Sequence, residues 1–242
     1  MDIEPPENPS ERAKFAAAER ALAYVEGGMV LGLGTGSTAN WLVKMLGAWG
    51  ARARLTCVTT SSKTAKLAAE VGLKVAPLEA AGAPDLTIDG ADEIDPQLRL
   101  IKGGGGSLLQ EKIVAAASRR MLVIADETKK VETLGAFPLP VEVVRFGWTK
   151  TREHILKALE AENVGGRRAA LRGGEASPFV TDEGHYILDL DLRRIADPEG
   201  LHARLSLLPG VVETGLFLGL AAGAVIGRPD GSTEVIEAPD RV

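Results

Sequence analysis

Between Met29 and Asp126, short apolar runs (MVLGL, LTCVTT, DLTID, MLVIAD) alternate with segments of helical periodicity such as KTAKLAAEVG and SLLQEKIVAAAS. The connections between them are short and rich in Gly, Ser, Thr and Asp. Buried strands alternating with helices specify a mostly parallel sheet with helices on both faces, a Rossmann-like α/β architecture. From about Pro140 the pattern changes to LPVEVV, TKTREHILKALEAE, RRAALRGG, FVTDEGHYILDLDL and PEGLHARLSLLPG. That order, strand, helix, strand, strand, helix, predicts a smaller inserted α+β domain of the ferredoxin-like kind. The expected division is therefore 1–139 with 210–242 as the α/β catalytic domain and 140–209 as the small domain. Residues 1–9 are expected to be disordered and a first helix to start near Ser10 as its N-cap. VVETGLFLG and AAGAVIGRP are apolar enough to return to the main sheet.

A net charge of -5, with basic pairs such as Arg119-Arg120 and Arg193-Arg194 scattered, leaves no clustered basic face for nucleic acid. The single cysteine, Cys57, cannot form an internal disulfide, which suits a reducing cytoplasm. The acidic, Pro-rich start MDIEPPENPSER is unlike a signal peptide, and no apolar run approaches the ~20 residues of a membrane span. Three widely spaced histidines, His154, His185 and His202, supply no metal site, and all are read as structural or surface residues.

Three segments concentrate chemistry. In LGLGTGSTAN a strand feeds a glycine-rich turn that opens a helix, the arrangement in which backbone N–H groups receive a phosphate. A dinucleotide fingerprint fails here, because Ser37 stands at the third glycine and the next strand ends in Thr59-Thr60-Ser61-Ser62 without an acid for a ribose. The cradle suits something smaller than a nucleotide. In IDGADEID, Asp89 and Asp92 end an apolar strand, where open α/β sheets place ligands. In LIKGGGGSLLQEK, Lys102 and a four-glycine loop precede a helix with a Ser107/Gln110 capping box, which places Glu111 in its second turn. A carboxylate near a nest of N–H groups, with an ammonium opposite, suits enolate chemistry: a base takes a proton from carbon and donors hold the oxyanion. ADETK adds Lys129 as a further cation after a strand.

GTGSTA, TSS, DGADEID, KGGGG followed by EK, DETK and PGVVETGLF occur in this order, and together they resemble the A-type ribose-5-phosphate isomerases over nearly the whole chain from Ser10. The resemblance implies a metal-independent aldose–ketose isomerase of the non-oxidative pentose phosphate pathway. It implies no cofactor, a small sugar-phosphate substrate and a homodimer or homotetramer. It also implies roles for particular residues. Thr35, Gly36, Ser37 and Thr38 line the substrate site, with Ser37 and Thr38 touching the phosphate or nearby hydroxyls and Lys129 and Lys14 on the phosphate side. Asp89, Gly90, Ala91 and Asp92, with Lys102, Gly103, Gly104 and Gly105, hold the sugar. Glu111, Lys102 and Asp89 are catalytic, with Glu111 as the base. DETK replaces the usual DESK and keeps the hydroxyl. Two other functions are set against this one, a sugar-phosphate sensor and a coenzyme A transferase-like enzyme. The sensor lacks room for a DNA-reading helix pair ahead of the first helix, and the transferase lacks a nucleotide signature.

Overall fold

A computed structural model describes residues 3–50 and 54–238. The chain forms two compact units, one from residues 1–91, 110–129 and 219–242, the other from 92–109 and 130–218. The 140–209 segment lies wholly within the second.

The first unit is built on a six-stranded sheet. Its strands are β1 (Val30–Leu33), β2 (Thr56–Thr59), β3 (Leu86–Asp89), β6 (Met121–Asp126), β12 (Ala221–Gly227) and β13 (Thr233–Glu237), where β4, β5 and β7 to β11 belong to the second unit. Their order is β13-β12-β6-β3-β1-β2, all parallel except the antiparallel edge strand β13. The helices α1 (Pro9–Ala21) and α2 (Ser37–Ala48) share a core with Leu31 and Leu33 of β1. Gly32, on the opposite face by strand alternation, meets Thr87 and Val114, the latter from α5 (Leu108–Ala117). Helices therefore cover both faces, as the alternating pattern predicts. Cys57 lies in this core, and burial pushes its thiol up to about 11, which makes it an inert packing residue.

Two local expectations are corrected. Asn8, not Ser10, caps α1, accepting from the N–H groups of Ser10 and Glu11, with Pro9 in the first turn where its missing N–H costs nothing. Met1 and Asp2 lie outside the described residues. VVETGLFLG does not join the main sheet; β12 alone of the two C-terminal segments does so.

In the second unit, β7 (Leu139–Val143), α6 (Trp148–Leu159), β8 (Arg168–Leu171), β9 (Tyr186–Asp191), α7 (Pro198–Ser206) and β10 (Val211–Thr214) form an antiparallel sheet of order β10-β7-β9-β8. This is the ferredoxin-like arrangement, two split β-α-β halves over one core that includes Val141, Ile155, Leu188 and Leu201. Beside it in the same unit, β4 (Glu93–Ile94), β5 (Leu100–Ile101) and β11 (Leu216–Phe217) make a small sheet of order β11-β5-β4. Half of VVETGLF therefore pairs with β7 and half with β5.

Candidate active site

In the first unit, β1 pairs with β2 on one side and β3 on the other, so the strand order reverses at β1. The carboxyl ends of β1 and β3 at such a reversal open the crevice where α/β sheets bind ligands. Gly34 follows β1 and Asp89 ends β3. The backbone of Gly34 sits so near Asp89 that an added Cβ would lie 2.0 Å from Oδ1. That oxygen accepts the N–H groups of Thr35 at 3.1 Å and Gly90 at 2.7 Å. Asp89 is fully buried, so these bonds offset part of the cost of removing its charge from water.

The turn is fixed from the β2 side. Thr35 Oγ1 lies within hydrogen-bonding distance of the hydroxyls of Thr60 (2.9 Å), Ser61 (2.8 Å) and Thr64 (3.1 Å). Thr64 also donates to the Gly34 carbonyl and Thr60 to that of Leu33. The TSS motif thus braces the loop. Gly36 adopts φ 130 as the N-cap of α2, offers no side-chain cap, and has open space where a Cβ would project. Ser37 is exposed and Thr38 buried in the first turn. A helix start with uncapped N–H groups beside open space is suited to an anion.

Lys129 is half-buried in a short turn after β6, where Asp126 accepts the Thr128 N–H at 3.1 Å. Lys14 lies on α1, 2.7 Å from Glu11, whose other oxygen accepts the indole N–H of Trp41 on α2. The Lys14 and Trp41 hydrogen bonds hold the Glu11 carboxyl below its ordinary range. Glu111 is 3% exposed and stands in the first turn of α5, one turn earlier than the capping-box reading placed it.

Asp92, Lys102 and the glycines belong to the second unit. Asp92 accepts the Gly104 N–H at 2.7 Å. Lys102 is 2% exposed, among the largest fully buried side chains in the protein. Gly103 is buried with φ 102, while Gly104 and Gly105 are exposed. Glu93, the next acid after Asp92, accepts from Gly135 (2.6 Å) and Phe137 (2.5 Å), so it anchors a neighbouring loop.

Sequence reasoning missed the clamp on the glycine loop. Arg172, just beyond β8, donates to the carbonyls of Gly103 (2.9 Å) and Gly104 (3.2 Å), while Asp189 holds its other nitrogens at 2.9 and 2.5 Å. The Phe179 ring fills the space beside Gly106, where a Cβ would come within 2.4 Å of it. The four-glycine loop is therefore clamped, not a free linker. Nothing in RRAALRGG marks this arginine, because its partners lie 68 and 69 positions away in sequence.

Of the three histidines, His185 Nδ1 lies 3.0 Å from Glu142 and His202 Nδ1 lies 2.8 Å from Thr214. Among the described residues no three His, Cys, Asp or Glu side chains are grouped to hold a metal ion, and no helix is long and apolar enough to cross a membrane.

An open α/β sheet with an uncapped helix start beyond the reversal of its strand order belongs to the class of folds that bind small anions there. The profile of the ribose 5-phosphate isomerase A (phosphoriboisomerase A) family matches residues 56–231, and the chain belongs to that family. Ribose-5-phosphate isomerase A of Dinoroseobacter shibae is 56% identical over 94% of this chain and 88% of its own. Among solved structures, ribose 5-phosphate isomerase A from Neisseria gonorrhoeae is 34% identical with a TM-score of 0.85, covering 97% of this chain and 99% of that one. A D-ribose-5-phosphate isomerase in complex with phospho-erythronic acid is 36% identical, also with a TM-score of 0.85, covering 94% and 99%.

Proposed function

We propose that the chain interconverts D-ribose 5-phosphate and D-ribulose 5-phosphate through a 1,2-enediolate, as a step of the non-oxidative pentose phosphate pathway. The observation that carries this reading is Glu111, a buried carboxylate in the first turn of the helix that follows the glycine loop. The phosphate of the open-chain sugar docks at the start of α2, on Gly36, Ser37 and Thr38, with Lys129 and Lys14 supplying positive charge. Thr35 fixes the shape of that turn through its hydroxyl contacts.

Glu111 removes the proton on carbon 2. The electron pair forms the carbon 1–carbon 2 double bond, and the aldehyde oxygen takes up the negative charge. Lys102 and the N–H groups of Gly103, Gly104 and Gly105 offset that charge. Asp89, with Gly90 and Ala91 shaping its loop, passes the hydroxyl proton between oxygens 1 and 2. Glu111 then returns its proton to carbon 1, giving the ketose. Asp92 contributes by holding Gly104. A positioned base accounts for about 10²–10⁴-fold of the rate and each oxyanion donor for about 10²–10³-fold. Phospho-erythronic acid carries a carboxylate where the enediolate carries its two oxygens, so it is expected to compete with substrate here.

We further assign the enzyme to the cytoplasm as a homodimer or homotetramer, in keeping with its sugar-phosphate substrate, its family and its single buried thiol. Incubating the purified chain with ribose 5-phosphate and a chelator, without coenzyme, tests the function. Ribulose 5-phosphate should accumulate to equilibrium; its failure to appear contradicts the reading.

A further inference from the structure

The late segment TGLF, residues 214–217, has no part in the mechanism above, yet it lies against Lys102. β11 pairs with β5 antiparallel, Leu216 opposite Ile101 and Phe217 opposite Leu100. Continuing that register sets Gly215 opposite Lys102, and the Lys102 N–H donates to the Gly215 carbonyl at 2.9 Å. Phe217 is then the diagonal neighbour of Lys102 on the same face of the ribbon, within reach of a long side chain. The directly opposed position carries no side chain at all. A Cβ on Gly215 would lie 2.3 Å from the Lys102 carbonyl oxygen and 2.8 Å from Pro140, so only glycine fits. The lysine stem leans across this gap, and its Nζ sits 5.4 Å from the centroid of the Phe217 ring.

We propose that Phe217 is a positioning residue for Lys102, its ring face holding the ammonium where it can meet the developing enediolate charge. This rests on the assignment of Lys102 as a charge-stabilising group. Lys102 is 2% exposed and Phe217 fully buried, so bulk water does little to orient the ammonium. A four-carbon stem has many rotamers, and a buried cation needs electrostatic partners to remain charged. The quadrupole of an aromatic face supplies attraction that an aliphatic side chain of similar volume lacks. These two residues thus hold the lysine at both ends: Gly215 its backbone and Phe217 its tip.

The test replaces Phe217 in the full chain with mono-, di- and trifluorinated phenylalanine, which keep the ring's shape while draining its face of negative charge. The kcat for ribose 5-phosphate should fall stepwise, to about a tenth with three fluorines, while KM and the melting temperature hold nearly constant. Phe217→Tyr should retain activity, and Phe217→Leu should lose it to the same extent as the trifluoro form. Lys102→Met is measured in parallel. If that variant keeps more than a tenth of the wild-type rate, the assignment of Lys102 is wrong and the proposal falls with it. If Lys102→Met is inactive but trifluorination leaves kcat within twofold, the role of Phe217 alone is overturned.

Discussion

The Gly34 backbone lies so close to the Asp89 carboxylate that a single added methyl group would stand 2.0 Å from Oδ1. Two strand ends, 54 positions apart at the Thr35–Asp89 hydrogen bond, are brought together at the reversal of strand order. Gly34→Ala must displace either the aspartate or the loop. Overpacking of this kind costs about 1–3 kcal/mol. A chemical melt should show that loss, with turnover falling further than stability alone explains. A variant with wild-type kcat would separate Asp89 from the chemistry.

Arg172 ties two carbonyls of the glycine loop to Asp189. Because a planar fork makes these contacts, Arg172→Lys should behave like Arg172→Met and not rescue it. A small displacement of catalytic donors reduces rate on the order of tenfold to a hundredfold, and kcat/KM should fall by that much in both variants. The far-ultraviolet circular dichroism should not change.

Lys14 is paired with Glu11 on its own helix, while its proposed role is at the substrate phosphate. A charged hydrogen bond contributes about 1.5–3 kcal/mol, so Lys14→Met should raise KM by tenfold or more with kcat little changed. If KM stays put, Lys14 serves only the packing of α1.

Glu142, on β7, is buried and accepts from Thr181 at 2.9 Å beside His185 at 3.0 Å. Burial pushes its carboxyl above the ordinary value of 4.5, against the lowering effect of His185 and Thr181. The folded state then holds this proton more tightly than the unfolded chain. Stability tied to the protonated form is present below pH 4.5 and is lost as pH rises through the higher folded value. Glu142→Gln should therefore gain on wild type in melting temperature as pH rises from 4.5 toward 8. A constant difference across that range would contradict the raised value.

The parallel sheet and the ferredoxin-like unit were legible because their signals are periodic and local: alternating apolar runs, glycine turns and helix starts. The three-stranded sheet was not. Its strands are two residues long, and one of its two pairings joins segments more than a hundred positions apart, Leu216 with Ile101. Motifs marked where acids and lysines concentrate but not how the work divides among them. In DGADEID, Glu93 turns out to anchor a loop and Asp92 to clasp a glycine, while Asp89 binds the turn after β1. Arg172, Phe179 and Phe217 escaped because a single arginine or phenylalanine carries no spacing that announces a partner.

The central claim is that Glu111 moves hydrogen between neighbouring sugar carbons. Glu111→Gln keeps the side-chain volume and removes the base. Turnover of ribose 5-phosphate should fall by about 10³-fold or more, with binding by calorimetry within a few-fold of wild type, and deuterium from heavy water should no longer enter the sugar. A variant that kept a tenth of the wild-type rate, or still exchanged the carbon 2 hydrogen, would contradict it.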